Sequence, residues 1–294
     1  MTSPWAAGAV EGMLAQVSGP SLTFLGHSGV RVELAGRTVL TDPLLTGGVG
    51  PLRRVVPPLD PSTWAGVDLV LISHLHGDHL HLPSLRRLGC GRSGGPRLVV
   101  PRGAGAWLRR RGLHRVEELA PGETTTDGDL TVTGVPAHHS GHRWGPRSTS
   151  GPDAAAMGHL LTGGGSCVYA AGDTDVFPGM AGLGPAGGID VALLPVWGWG
   201  LSLGPGHMDP AGAALACALL RPRVAVPVHW GTLAAVGTTT LPGLAARMRR
   251  LLVQPPLDLA ADVAAAGLPT TVLITPPGAR VALPPRAPDG DGGA

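Results

Sequence analysis

The sequence predicts an α/β fold in which two β-sheets pack face to face and helices cover the outside. Strand-like segments come first along the chain, and strand and helix signals then alternate towards its end. No repeat of roughly 20–50 residues and no long internal linker divides the chain. With 294 residues, of which 43% are hydrophobic, the chain can bury a large core. These features together suit two packed sheets with outer helices.

Apolar patterning predicts the strands. Residues 21–42 alternate apolar and polar side chains around the turn Ala35-Gly36-Arg37, which predicts a hairpin of half-buried strands. Residues 67–73 form an apolar run of strand length, and a short helix is predicted to follow at 82–88. Further strands are predicted at 97–100, 130–135, 159–161, 167–171, 191–196, 224–228 and 271–275.

Helices are predicted in the second half of the chain, and disorder is predicted at its two ends. Asp209 is placed to cap a helix at 210–220 with Pro210 in the first turn, and further helices are predicted at 242–252 and 257–266. Residues 1–20 are predicted to be a flexible segment. The Pro/Gly-rich residues 284–294 are predicted to be a disordered tail, which leaves 21–283 as a single domain.

Composition excludes several classes of chemistry. The formal net charge is +2, and all 22 basic residues are arginine. A phosphate-binding loop that ends in Gly-Lys-Ser/Thr, a Schiff-base lysine and a Ser-x-x-Lys acylase all need a lysine, so they are excluded. The basic runs at 109–111 and 247–250 are short. They are predicted to be solvated helix faces, and no nucleic-acid partner is expected.

Cysteine usage and the terminus indicate the compartment. Cys90, Cys167 and Cys217 are far apart and form no Cys-x-x-Cys motif, which is typical of buried thiols in a reducing compartment. The first residues lack the basic region of a secretory signal. No apolar run reaches the roughly 18–20 residues that cross a bilayer. We therefore expect a cytoplasmic protein without a membrane span.

A dense cluster of potential metal ligands follows the predicted strand at 67–73. It consists of His74, His76, Asp78 and His79. Imidazole and carboxylate suit Zn²⁺, Mn²⁺ or Fe²⁺. The alternate spacing of His74 and His76 lets both reach one metal, while Asp78 and His79 point at a second. The alternative interpretation is a surface histidine cluster with incidental metal affinity.

More histidines and an aspartate come where other predicted strands end. His138 and His139 follow the strand at 130–135, Asp173 follows the strand at 167–171, and His229 follows the strand at 224–228. Functional side chains are commonly carried on loops that a rigid scaffold positions. These residues are therefore further candidates for the same site.

This pattern resembles the metallo-β-lactamase superfamily, whose members carry His-x-His-x-Asp-His followed by a His, a bridging Asp and a last His. The resemblance covers about residues 21–276. Within the superfamily the chain looks most similar to the L-ascorbate-6-phosphate lactonase-like and N-acylphosphatidylethanolamine phospholipase D-like branch. The segments that carry this finer likeness are Leu25-Gly26-His27, Thr41-Asp42-Pro43, Pro136-Ala137-His138-His139, Ala171-Gly172-Asp173-Thr174, His207-Met208-Asp209-Pro210 and His229-Trp230-Gly231-Thr232.

The resemblance implies a four-layer αββα sandwich and a site that holds two divalent metal ions, with Zn²⁺ expected and Mn²⁺ or Fe²⁺ as alternatives. A first metal is implied on His74, His76 and His139, a second on Asp78, His79 and His229, and Asp173 bridges them. His138 is the alternative to His139, which is favoured because the family's ligand follows Pro-Ala after one residue. Asp78 and His207 are the predicted catalytic residues.

Other residues are left with two interpretations. Asp42 is either a carboxylate that fixes the tautomer of a ligand histidine or a turn residue before proline. His207 lies just before a predicted helix N-terminus, where it either contacts substrate or donates a proton, or is structural. His27 is as much a structural as a site candidate. The histidines without motif support are interpreted as surface or core residues, and they are His81, His114, His142 and His159. The tryptophans Trp144, Trp197 and Trp199 either fill core volume or wall a substrate pocket. Arg143 and Arg147 either lie on a solvated loop or bind an anionic substrate group.

The expected function is metal-dependent hydrolysis. A hydroxide that bridges two divalent ions is expected to attack a phosphodiester or a lactone-like ester, and the net positive site favours a small, anionic substrate. The alternatives are a non-catalytic, metal-stabilised binding protein and a nuclease of the same superfamily. A di-iron oxygen or nitric oxide reductase is disfavoured, because it would normally have a glutamate in place of His76 and a flavin module.

Overall fold

A computed structural model describes residues 19–143 and 151–283. The predicted tail at 284–294 and all but two residues of the predicted flexible segment 1–20 lie outside this part of the chain, as do Trp144 and Arg147. The helices are α1 (Leu82–Arg87), α2 (Gly105–Arg109), α3 (Pro210–Leu220), α4 (Leu244–Leu251) and α5 (Gln254–Ala265), with short 3-10 helices at Pro61–Trp64 and Pro178–Gly182.

The strands form two large sheets and one small one. The strand bounds are β1 (Ser21–Gly26), β2 (Gly29–Leu34), β3 (Arg37–Thr41), β4 (Gly48–Val49), β5 (Leu52–Arg54), β6 (Leu69–Leu71), β7 (Arg97–Pro101), β8 (Val116–Leu119), β9 (Thr124–Asp127), β10 (Leu130–Pro136), β11 (Met157–Gly163), β12 (Ser166–Ala170), β13 (Val191–Pro195), β14 (Val224–Val228), β15 (Leu233–Ala235), β16 (Thr271–Val272) and β17 (Arg280–Ala282). The first sheet has the order β17-β1-β2-β3-β6-β7-β8 and the second the order β16-β14-β13-β12-β11-β10-β9. The small sheet has the order β15-β5-β4.

Alternating side chains on β6 explain the layering. Leu69 and Leu71 point into a core shared with the second sheet, whereas Val70 packs on the opposite face with Leu85 of α1 and Leu108 of α2. A strand buried on both faces needs apolar residues at every position, which is why this segment is a continuous apolar run. Helices α3, α4 and α5 flank the second sheet. The predicted fold of two packed sheets with outer helices is therefore confirmed.

The first strands differ from the predicted hairpin. Residues 21–42 form three antiparallel strands, because the chain also turns at His27-Ser28 between β1 and β2. Strand β1 is buried along its whole length rather than half-buried, since it lies inside the sheet between β17 and β2. The turn at Ala35-Gly36 lies where the sequence predicts it.

Two other predicted elements each have one end displaced by three residues. The helix predicted at 257–266 begins at Gln254, because Pro255 and Pro256 occupy its first turn, where a missing N–H costs no hydrogen bond. The strand predicted at 271–275 is reduced to Thr271–Val272 at the edge of the second sheet. Short peripheral strands such as β4 and β8 carry too few apolar residues to give a sequence signal.

The directions of the strands determine which strand ends meet at the candidate site. Strand β6 is parallel to β3 and β7, and strands β12, β13 and β14 are parallel to one another. Two antiparallel pairings link β10 to β12 through β11, so β10 and β12 run in the same direction. The carboxyl ends of β10, β12, β13 and β14 therefore meet at one edge of the second sheet. In the described residues, no helix has both the length and the apolar character needed to cross a bilayer.

Removal of the α3 cap is expected to destabilise the protein modestly. The Asp209 carboxylate accepts a hydrogen bond from the Gly212 N–H at 2.8 Å, as predicted for a residue before Pro210. Asp209→Ala leaves that N–H unpaired and is expected to cost about 1 kcal/mol, which lowers the melting temperature by roughly 2–4 °C for a chain of this size. Asp209→Asn, which keeps an acceptor, is the control, and equal melting temperatures for Asp209→Ala and the wild type would contradict the assignment.

Candidate metal centre

The loop after β6 carries the histidine motif, as the sequence predicts. Its backbone turns tightly, since the His79 and Leu80 N–H groups both donate to the His76 carbonyl, at 3.1 and 2.9 Å. Arg143 supports the loop from outside by donating from Nη1 to the carbonyl oxygens of Leu75 and Leu80, each at 3.0 Å. The Arg143 side chain is thus structural here, rather than the anion-binding or solvated group considered from the sequence.

One group of imidazoles consists of His74, His76 and His139. His76 Nδ1 lies 3.0 Å from His74 Nε2 and 3.1 Å from His139 Nε2. The three ring nitrogens therefore face a common point, although His139 is 63 residues from His76 along the chain. The sequence-predicted first set of ligands is brought together here.

A second group consists of Asp78, His79 and His229, with His27 beside them. His79 Nε2 lies 3.3 Å from His229 Nε2. Asp78 Oδ2 lies 3.1 Å from His27 Nε2. One donor atom from each of the four side chains lies within 4.8 Å of the others. The predicted second set is therefore also brought together, along with His27, which the sequence leaves undecided between a structural and a site role.

Asp173 joins the two groups. Its side chain is 2% exposed, and its Oδ1 is buried without a hydrogen bond of good geometry, although His229 Nε2 lies 3.2 Å away. The Oδ2 atom lies within 4 Å of four further imidazole nitrogens. These belong to His79 at 3.2 Å, His207 at 3.4 Å, His74 at 3.8 Å and His139 at 3.9 Å.

The outer nitrogens of the clustered imidazoles are held by other groups. Nδ1 of His229 donates to the Trp197 carbonyl at 2.6 Å, and Nδ1 of His139 donates to the Gly206 carbonyl at 2.7 Å. Nδ1 of His79 donates to Asp42 Oδ2 at 2.9 Å. A histidine whose Nδ1 carries the proton presents a lone pair at Nε2, which is how metal-ligating histidines are usually oriented.

Charges in the cluster agree with this arrangement. Burial lowers the pKa of His76 to about 4 and that of His229 to about 3, so both imidazoles are neutral at pH 7. Burial alone would raise the pKa of Asp173, but the imidazoles of His229 and His79 hold it well below its usual range. Metal ligands must be neutral imidazoles and ionised carboxylates.

His79 and His207 are the exceptions, because carboxylates contact them. Burial lowers the pKa of His79, but Asp173 and Asp42 together raise it well above its usual range. Burial also lowers the pKa of His207, and the hydrogen bond and charge of Asp173 outweigh that effect and raise it. His79 must therefore release a proton when a cation binds, whereas His207, with its side chain 23% exposed, can keep one.

The donor set fits divalent cations. Nε2 lone pairs of His74, His79, His139 and His229 converge on a buried carboxylate, and a cation is the group that satisfies all of them at once. Imidazole and carboxylate donors suit Zn²⁺, Mn²⁺ and Fe²⁺. The residues present thus fit a metal centre, and the sequence interpretation of an incidental surface cluster disagrees with their burial.

The structure separates His138 from His139. The His139 ring lies in the cluster, whereas the His138 ring stacks on Phe177 at a centroid distance of 4.4 Å. The His138 N–H donates to Thr174 Oγ1 at 2.9 Å, which anchors the loop. The preference for His139 agrees with this geometry.

The Trp197 segment contacts the site through its backbone. The Trp197 carbonyl holds His229, and its buried side chain lines a cleft of about 540 Å³ together with Leu203 and Arg247. Trp199 instead packs against the apolar cluster of Leu44, Leu52 and Leu233 beside the small sheet.

A left-handed backbone occurs at three residues of the site. His27, Asp42 and His229 have φ angles of 56°, 34° and 62°, which residues other than glycine adopt rarely. Such strain persists where the surrounding structure fixes it, and it is frequent at functional sites. No local sequence pattern reveals these angles. For His27 and Asp42, which the sequence left undecided, the signal is that both lie in segments that carry the family resemblance.

The remaining histidines lie apart from the cluster. His81 precedes α1 and pairs with Ser84 Oγ at 2.8 Å. His159 is buried between the sheets, while His114 and His142 are exposed. These positions agree with the core and surface interpretations made from the sequence.

The Asp42 carboxylate is expected to set metal affinity. It accepts hydrogen bonds from Ser73 N at 2.8 Å, from Ser73 Oγ at 2.6 Å and from His79 Nδ1 at 2.9 Å. Asp42→Asn removes the charge that orients His79 and is expected to weaken metal binding about 10–100-fold, measured by competition with a chromophoric chelator. Asp190→Asn, at a buried aspartate that accepts from Cys167 N, should destabilise the fold without this loss. Equal metal affinities for the two variants would contradict the role.

Comparison with known proteins identifies the family. The family described as "Beta-lactamase superfamily domain" matches residues 37–230, a range that contains the histidine motif, His139, Asp173 and His229. The chain belongs to this family. The superfamily resemblance found in the sequence is therefore confirmed.

Relatives with similar sequences come from bacteria and archaea. A protein named "UPF0173 metal-dependent hydrolase" from Nitratidesulfovibrio vulgaris (strain DP4) is 34% identical over 220 residues, which are 72% of this chain and 80% of that protein. One of the same name from Methanopyrus kandleri is 35% identical over 216 residues, or 72% of this chain and 84% of the relative. The solved structure of Igni18, described as a novel metallo hydrolase from Ignicoccus hospitalis KIN4/I, superposes with a TM-score of 0.66 and 27% identity, covering 89% of this chain and 97% of that one.

Proposed function

We propose that the protein is a metal-dependent hydrolase that uses two divalent cations. The observation that carries the proposal is that the two groups of donors meet at the buried Asp173 carboxylate. It lies within 4 Å of His74 and His139 from one group and of His79 and His229 from the other. The family and the names of its relatives as metal-dependent hydrolases support the reaction class.

The assignment of ligands follows the two groups. His74, His76 and His139 would hold one cation, and Asp78, His79 and His229 would hold the other, with Asp173 shared between them. Zn²⁺ suits this set best, and Mn²⁺ and Fe²⁺ share the same donor preferences. When bound, such cations lower the pKa of coordinated water towards neutrality and stabilise the negative charge that forms when a substrate is attacked.

His207 supplies the proton for the leaving group in this proposal. Its Nε2 lies 3.4 Å from Asp173 Oδ2, and its Nδ1 pairs with the Gly204 carbonyl at 3.2 Å, so the ring is held at the edge of the cluster. The hydrogen bond and charge of Asp173 outweigh burial and raise the pKa of His207, which favours the protonated ring that a general acid needs. The Oδ2 atom of Asp78 is engaged by His27, so we assign Asp78 to cation binding rather than to proton transfer.

The substrate class follows from charge. Two divalent cations carry four positive charges, and Asp78 and Asp173 remove two, which leaves a positive site for an anionic or strongly polarised group. A phosphodiester or a lactone-like ester fits this condition, as in the lactonase-like and phospholipase D-like branch that the sequence resembles. We further propose that residues 21–283 act as one domain and that the protein works in the cytoplasm.

One experiment tests the proposal. Metals per chain are counted in the purified protein, and hydrolysis of bis(p-nitrophenyl) phosphate and of a lactone panel is measured before and after chelation and re-addition of Zn²⁺ or Mn²⁺. His229→Ala is compared with His142→Ala, at an exposed histidine outside the cluster. We expect two metals and turnover that is lost on chelation and in His229→Ala only. Bound metals without turnover would instead indicate a binding protein, and fewer than two metals would contradict the dinuclear site.

A further inference from the structure

His27 belongs to the second group of donors but lies outside the family's ligand pattern. Its side chain is 1% exposed and comes from the turn between β1 and β2, 51 residues before Asp78. We propose that His27 is a positioning residue that fixes the Asp78 carboxylate and ties it to the strand end that carries His229, thereby setting the affinity for the second cation. This inference rests on the proposed two-cation site.

The first argument is the contact between His27 and Asp78. His27 Nε2 lies 3.1 Å from Asp78 Oδ2, and an imidazole N–H at that distance donates to the carboxylate. A carboxylate that gives one oxygen to a neutral donor keeps its other oxygen for a cation, and such outer partners fix ligand orientation.

The second argument is the backbone around His27. Its carbonyl accepts a hydrogen bond from the His229 N–H at 2.7 Å, and its own N–H donates to Thr232 Oγ1 at 2.8 Å. Both partners lie just after β14, in the second sheet. His27 therefore links the end of β14 to the loop after β6, which belongs to the first sheet, and these two elements carry the ligands of the second cation.

The third argument is the cost of this conformation. His27 has φ of 56° and follows Gly26, whose φ is 97°. A Cβ at Gly26 would lie 2.8 Å from Thr232 Oγ1, so the close approach of the two sheets also requires glycine there. Nonglycine residues hold a left-handed angle where surrounding contacts fix it. At His27 those contacts are Thr232, His229 and Asp78, and all of them belong to the site.

The position of the His27 ring leaves direct metal ligation as the alternative to a positioning role. The His27 ring lies 4.1 Å from the His229 ring and 5.2 Å from the His79 ring, measured between centroids. A ring in this position could also act as a direct ligand if its Nε2 turned away from Asp78. The two roles differ in what glutamine can replace, because a glutamine amide donates to a carboxylate as imidazole does but is a poor ligand for Zn²⁺.

The test measures Zn²⁺ binding by competition with a chromophoric chelator in the wild type, His27→Gln and His27→Leu. The second cation is defined as the one whose binding is lost in His229→Ala. We expect His27→Leu to weaken this cation about 10–100-fold and leave the other unchanged, while His27→Gln stays within about threefold of the wild type. At saturating Zn²⁺, kcat of His27→Leu should recover towards the wild-type value, as a residue that acts through Asp78 requires.

Controls separate this role from a fold defect. Cys217→Ala truncates another buried side chain, which lies on α3 outside the cluster, and should leave both affinities unchanged. Far-ultraviolet circular dichroism checks folding, and if His27→Leu does not fold, Thr232→Val tests the same link through the His27 N–H. Wild-type affinity in His27→Leu overturns the inference, and a loss in His27→Gln as large as in His27→Leu does so as well, because it indicates direct ligation. A wild type that binds fewer than two cations contradicts the proposed function itself.

Discussion

Replacement of Asp173 by asparagine is expected to remove both bound metals and nearly all activity. Among the residues that the structure describes, Asp173 carries the one carboxylate within 4 Å of imidazoles from both sets of donors. An amide keeps the shape but not the charge that two cations need. Residues that only orient a ligand change metal affinity about 10–100-fold, so this variant should lose more than about 100-fold in kcat/KM and in metal affinity.

The neighbouring Asp175 provides a matched control for Asp173→Asn. It lies two residues further along the same loop, is exposed, and accepts a hydrogen bond from the Val176 N–H. Asp175→Asn should keep the metal content and kcat/KM of the wild type. If Asp173→Asn also retained two metals per chain, Asp173 would not be shared by the cations, and the assignment of the whole centre would fail.

Gly172→Ala is expected to damage both stability and activity although it adds only a methyl group. Gly172 has φ of +64°, and a Cβ there would overlap the Ser73 Cβ and lie 2.7 Å from Ser73 Oγ. The left-handed angle costs an alanine about 1 kcal/mol, and overpacking adds roughly 1–3 kcal/mol. Because Ser73 Oγ donates to Asp42, the clash is also expected to displace the carboxylate that orients His79.

Gly164→Ala separates these two effects. Gly164 has a similar φ of +55°, but a Cβ there meets no atom within 4 Å. Its alanine variant should lose only about 1 kcal/mol and keep full activity and metal content. The measurements are urea unfolding, metal counting and kcat/KM. Equal behaviour of the two variants would mean that the contact between Gly172 and Ser73 does not support the metal centre.

Local signals along the chain predicted most of the strands and helices. Helix α3 was predicted at its observed bounds, because Asp209 and Pro210 form a clear start signal and the cap is made within the helix itself. The same holds for β14, whose five apolar residues are all buried. Where the signal was non-local, the prediction was less accurate. The turn at His27-Ser28 was missed, since its left-handed backbone depends on contacts with Thr232 and His229.

The sequence by itself determined the kind of chemistry and the layers of the fold. The His74–His79 motif and the strand ends at His139, Asp173 and His229 are properties of short segments, and these segments also carry the family match. Only the tertiary structure decided which side chains support that centre. Asp42 contacts His79 across 37 residues of the chain. His229 is contacted by the His27 carbonyl across 202 residues and by the Trp197 carbonyl across 32. Contacts over such distances exist only once the two sheets have packed together, because no local pattern fixes the direction in which these groups point.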